Sequence, residues 1–125
     1  CAGTAAPAPK VHGASAIVVD VQTGRVLFNK NSREHRAVAS TQKLLTALLV
    51  AEAGNLDAPV TIKSEDTTAP PTKLYIKAGQ VYTRRELLVA LMLRSSNDVA
   101  RALARDNAGT VEAFADKMNR RARSM

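Results

Sequence analysis

Aromatic side chains are scarce in this chain: two Tyr, two Phe and no Trp make up 3% of 125 residues. A core must then be built from Leu, Val, Ile and Ala, and an apolar share of 46% is enough for one modest domain. The scarcity also bears on partners. A net charge of +7 would suit nucleic acid, an anionic membrane surface or an acidic polymer. Yet Phe28, Tyr75, Tyr82 and Phe114 are not interleaved with basic residues as a base-stacking platform requires. No nucleic acid is therefore expected, and the charge is read as a solvated basic surface. Cysteine occurs once, at position 1, which excludes an internal disulfide and a cysteine zinc cluster. Histidine occurs only as His12 and His35, without an HExxH pattern, so no metal is expected, nor any other cofactor. No run reaches the roughly eighteen apolar residues of a membrane-spanning helix.

What is present falls into segments. Residues 1–14, opening CAGTAAPAPK, lack periodicity and read as a flexible tether. Ser15 to Val21 and Arg25 to Lys30 are rich in β-branched and apolar residues, and Gln22-Thr23-Gly24 between them is a turn signal, which predicts a β-hairpin. From about Thr41 to Ala53 the chain is apolar nearly all round, the pattern of a helix buried on every side, with Gly54-Asn55 to end it. Val60 to Ile62 and Leu74 to Ile76 read as short strand-like pieces. Thr83 and Glu86 form a capping box for a helix to about Leu93. After the break RSSND come a helix over Asp98 to Asn107, closed by Gly109, and one over Val111 to about Arg123, capped by Thr110. Two strands alone make a poor sheet, and the last residues, MNRRARSM, read as unfinished helix. Both features lead us to expect that the intact protein continues.

One placement conflicts with helix electrostatics. In ASTQKLLTALL, Lys43 sits in the first turn, where the helix dipole disfavours a cation and burial would strip its hydration. Chemistry gives a reason. A serine hydroxyl needs a base to become a nucleophile. A lysine can be that base as the free amine, which burial and nearby positive potential favour. Ser40 precedes Lys43 by three residues and so shares its helix face. The helix N-terminus offers N–H groups to a developing oxyanion. Ser95-Ser96-Asn97, in a break between helices, adds a hydroxyl to relay a proton and an amide to hold a substrate. Each motif has a bland reading. Seven serines and seven lysines in 125 residues give a Ser-x-x-Lys about 0.4 times by chance. Ser40 could be an N-cap, Lys43 could snorkel to water, and the Ser-Asn cluster is also good capping chemistry.

Together the two motifs resemble the signature of the penicillin-recognising serine enzymes. The stretch SAIVVDVQTGRVLFNKNSREHRAVASTQKLLTALLVAEAG resembles the start of the low-molecular-mass penicillin-binding proteins, the serine D-alanyl-D-alanine carboxypeptidases. LYIKAGQVYTRRELLVALMLRSSNDVARALA and GTVEAFADKMNRRARSM resemble their later segments, so the likeness runs over residues 15–125. It implies a mixed α/β chain of the β-lactamase/DD-peptidase-like fold. It implies Ser40 as the acylated nucleophile, Lys43 as its general base, Ser95 as proton shuttle and Asn97 as the residue that binds the substrate peptide. The Ser40 N–H would be half of an oxyanion hole. The substrate would be a peptidoglycan stem peptide, and β-lactams would be covalent inhibitors.

The family's Lys-Thr-Gly motif is missing, since Thr72-Lys73 is reversed and lacks the glycine. In the family that motif lies on a later strand, so residues 15–125 are expected to be the N-terminal part of the enzyme and inactive alone. The remaining sheet strands would come from a C-terminal part or a second chain. A β-lactamase is disfavoured, because Glu112 reads as helical and no other Glu follows the second motif. The alternatives are a D,D-endopeptidase of the same family, or a non-catalytic peptidoglycan-binding protein of the envelope. The location implied is the bacterial cell envelope, outside the cytoplasm. Cys1 with its tether resembles the lipidated start of a mature lipoprotein, or merely marks where the sequence begins. Tyr75, Tyr82, Arg84 and Arg94 are read as structural or solvent-facing positions.

Overall fold

The computed structural model describes residues 7–125, so Cys1 and its expected lipidation lie outside the described residues. The chain divides into two compact units, residues 1–37 and 38–125.

The first unit carries the hairpin. Strands β1 (Ala16–Val19) and β2 (Val26–Lys30) are antiparallel, with Ala16 opposite Lys30 and Val18 opposite Phe28. They are shorter than the sequence suggested, because Asp20 turns the chain early. Its carboxylate accepts the N–H of Gln22 (3.1 Å) and of Thr23 (2.8 Å) and the Thr23 hydroxyl (2.8 Å). The Thr23 hydroxyl, above all, holds the Asp20 carboxyl below its ordinary range. Gly24 follows with φ +70°, a left-handed position that glycine adopts freely. Val21 therefore falls in the turn, 97% exposed, instead of in a strand.

The second unit is helical. A 3-10 turn (Ala39–Thr41) leads into α1 (Gln42–Glu52). β3 (Pro59–Thr61), the four-residue α2 (Ser64–Thr67) and β4 (Val81–Thr83) follow, and β3 pairs with β4. Then come α3 (Arg84–Arg94), α4 (Asn97–Ala108) and α5 (Val111–Ser124). The caps expected from sequence are formed. Thr83 Oγ1 accepts from the Glu86 N–H, and the Glu86 carboxylate accepts from the Thr83 N–H at 2.7 Å. The Thr83 N–H and then the Thr83 hydroxyl, both donating to it, hold the Glu86 carboxyl below its usual value. Thr110 Oγ1 accepts from the Ala113 N–H at 3.0 Å. Helix α4 is central: Val99, Ala102 and Leu103 are completely buried. Val99 and Leu103 each contribute about 1.5–3 kcal/mol on burial.

Three expectations are corrected. Helix α1 is not buried all round. Leu44 is 58% exposed and Leu48 37%, while Lys43, Thr46, Leu49 and Val50 face inward. Within residues 38–125 the inward face is the one that carries residues 43, 46 and 50 and meets α3 and α4. Leu74 to Ile76 form no strand; the N–H groups of Leu74 and Ile76 bond the Asp98 side chain, and β3 pairs with Val81–Thr83 instead. The basic surface is not simply solvated. Arg105 binds Asp66 at 2.8 Å, Arg84 binds Asp106 at 2.6 Å and Arg121 binds Glu52 at 2.8 Å. Hydrogen bonding to Asp66 raises the Arg105 pKa, and bonding to Glu52 does the same for Arg121.

Candidate active site

Ser40 lies in the 3-10 turn at the mouth of α1. The residue before it, Ala39, has φ +47°, which costs a non-glycine residue about 1–2 kcal/mol. The turn exposes Ser40, and the first N–H groups of such a turn have no partner within it. One turn on, Lys43 points inward and is only 8% exposed. Its Nζ lies 3.2 Å from Ser40 Oγ and 3.4 Å from Ser95 Oγ. Among the described residues no carboxylate is within ion-pair distance of it, so its polar neighbours are the two hydroxyls.

Ser95 reaches Lys43 from the end of α3. It has left-handed backbone, φ +52°, and its N–H bonds Leu91 O at 2.8 Å. Ser96, 1% exposed, takes the N-cap position of α4, and Asn97 opens that helix. The break between α3 and α4 therefore turns Ser95 towards the lysine. The structure brings Ser40 and Ser95 both within reach of Lys43.

Asn97 stands beside this group. It lines, with Lys43, a cavity of about 290 Å³ whose apolar wall includes Phe114 and Met118. Its Nδ2 donates to Pro71 O at 2.6 Å, and its backbone N–H to Thr72 O at 2.8 Å. The loop partners were not foreseen, because nothing local marks Pro70-Pro71 as a neighbour of Asn97. Of the residues read as structural, Arg84 is ion-paired and Tyr82 Oη donates to Gln80 Oε1 at 3.1 Å; Tyr75 is 79% exposed.

An amine held between two hydroxyls can accept a proton from one and return it through the other. Neither the apolar packing nor capping requires that arrangement. The burial of Lys43 without a carboxylate beside it among the described residues is costly to stability.

Comparison with known proteins identifies the family. The chain is 33% identical over 116 residues to a D-alanyl-D-alanine carboxypeptidase of Bacillus subtilis, covering 89% of this chain and 30% of that protein. It is 30% identical over 127 residues to a D-alanyl-D-alanine endopeptidase of Escherichia coli, covering 99% of this chain and 41% of that one. The crystal structure of a D-alanyl-D-alanine carboxypeptidase from Mycobacterium tuberculosis superposes with a TM-score of 0.90 at 34% identity, over 98% of this chain and 46% of that one. The chain thus spans less than half the length of each of these relatives and has the fold of the part that it matches. Residues 2–125 match the model of the S11 peptidases, described as D-alanyl-D-alanine carboxypeptidase, and it is to this family that the chain belongs.

Proposed function

We propose that the protein is a serine D,D-peptidase that cleaves the D-Ala–D-Ala end of peptidoglycan stem peptides through an acyl-enzyme. The observation that carries this is the placement of Lys43 Nζ within hydrogen-bond distance of both Ser40 and Ser95. In the reaction Ser40 Oγ attacks the penultimate D-Ala carbonyl while its proton passes to the Lys43 amine. The proton moves on through Ser95 to the nitrogen of the departing D-Ala as the peptide bond breaks. Water then attacks the ester by the reverse relay and frees Ser40. Asn97 holds the substrate's peptide, and the Ser40 N–H faces the oxyanion. General acid–base groups of this kind contribute about 10²–10⁴-fold each.

β-Lactams would acylate Ser40 in the same way and stay attached. The substrate class would place the protein in the bacterial envelope, outside the cytoplasm, with a lipid on Cys1 as its membrane anchor. Residues 15–125 would supply the nucleophile-bearing part of the D,D-peptidase domain, with the Lys-Thr-Gly strand outside it. The relatives include an endopeptidase, so cleavage of cross-linked against linear peptides would separate the two activities.

Intact mass of the full-length protein with benzylpenicillin tests the reading. One penicilloyl unit should be gained and should be lost in Ser40→Ala. If a folded full-length protein gains nothing, the catalytic reading fails and the non-catalytic binding protein takes its place.

A further inference from the structure

Asp98 is fully buried, 0% exposed, yet among the described residues it has no ion-pair partner. A buried carboxylate needs several donors to offset its lost hydration. It finds three. Oδ1 accepts from the Leu74 N–H at 3.1 Å and from the Val99 N–H at 2.9 Å, and Oδ2 accepts from the Ile76 N–H at 3.3 Å. Its place in the first turn of α4 adds favourable helix potential. Two of the three donors belong to the loop 70–76.

The same loop is held by Asn97. Pro71 O accepts from Asn97 Nδ2 at 2.6 Å, Pro70 O lies 3.5 Å from it, and Thr72 O accepts from the Asn97 N–H at 2.8 Å. Two adjacent residues of α4 therefore grip five points of one loop. The loop needs gripping, because Thr72 (φ +72°) and Tyr75 (φ +59°) are both left-handed without being glycine. The consequence runs back to Asn97. With its Nδ2 committed to Pro71 O and close to Pro70 O, the amide cannot rotate freely, and its oxygen is left for a ligand in the adjoining cavity.

We propose that Asp98 is a positioning residue for acyl transfer: through the loop 70–76 it fixes the orientation of the Asn97 side-chain amide. The role presupposes the D,D-peptidase reading of Ser40, Lys43 and Asn97. A carboxylate is required because it accepts at both oxygens. An asparagine accepts at one, so it cannot hold both Leu74 and Ile76.

The test compares full-length parent, Asp98→Asn and Leu74→Pro. Leu74→Pro deletes a loop donor from the opposite side and carries the test if Asp98→Asn fails to fold. In both variants kcat/KM for a D-Ala–D-Ala peptide should fall about tenfold or more, mainly as a rise in KM. Benzylpenicillin should still label Ser40 to full stoichiometry, only more slowly. Deuterium uptake should rise over 70–76 and stay unchanged over α1 and α5. A loosened loop with parental KM and labelling rate overturns the role, and so does a loss of activity matched by loss of labelled fraction. A parent that never labels overturns the D,D-peptidase reading beneath it, which neither of those results would do.

Discussion

Helices α3 and α4 both end on a residue with positive φ, and they end for different reasons. Helix α4 stops at Gly109, φ +85°, with the Gly109 N–H on Arg105 O at 2.7 Å. Glycine is the ordinary residue for such an end, since it has no Cβ to clash. Helix α3 stops at Ser95, φ +52°, with an equivalent bond to Leu91 O at 2.8 Å. The closing bond is the same but the backbone is not: Ser95 is left-handed helical, with ψ +35°, while Gly109 has ψ −42°, a region left to glycine. What serine adds is a hydroxyl 3.4 Å from Lys43 Nζ. The end of α4 is optimised for stopping a helix, whereas the end of α3 gives up some stability for a group that glycine lacks.

The sharpest way to break this contrast is Ser95→Gly. It should make the end of α3 resemble that of α4. We expect acylation by penicillin to slow by about 10²-fold, because the relay to the leaving group is lost. We expect stability to rise by about 1 kcal/mol as the left-handed strain is relieved. Stopped-flow acylation and a urea midpoint measure the two effects separately, and a fall in both would reject the trade.

The converse change, Gly109→Ala, should be smaller and confined to stability. Nothing lies within 4 Å of the position a Cβ would occupy, so the whole penalty is backbone strain. A loss of about 1 kcal/mol in chemical unfolding is expected, with the acylation rate unchanged.

The smallest effect lies far from either helix end. Arg121 holds the Glu52 carboxyl below the usual glutamate value of 4.5, chiefly by hydrogen bonding, and ties α5 to α1. A lowered carboxyl contributes stability above its unfolded value, and that contribution is lost as pH falls through the folded one. Thermal melts from about pH 6 to pH 3 should therefore fall less steeply in Glu52→Gln than in the parent. Identical slopes would mean that the pair is screened away.

How much of this was legible in the sequence depends on the range of the interaction. Helices α3 and α5 could be read to within a residue or two, because Thr83–Glu86 and Thr110 cap them with local hydrogen bonds. Ser40 and Lys43 were legible as a pair because three residues of helix fix their separation. Ser95 needed the resemblance, since no local rule joins it to a lysine on another helix. The inward face of α1 was not legible from hydropathy, because it carries the polar Lys43 and Thr46, while the apolar Leu44 and Leu48 lie on the face that residues 38–125 leave uncovered. Leu74 to Ile76 looked like a strand because the apolar pattern is right. Their N–H groups are taken by Asp98, a partner distant in sequence.

The left-handed backbone of Ala39 has a consequence for sequence variation. Whatever stands directly before Ser40 must tolerate φ near +47°. Glycine and asparagine meet that condition easily, alanine at some cost, and valine, isoleucine or threonine badly. A library randomised at position 39 and selected for folded protein should therefore retain a short alphabet. The turn that presents Ser40 thus constrains evolution one residue upstream of the chemistry.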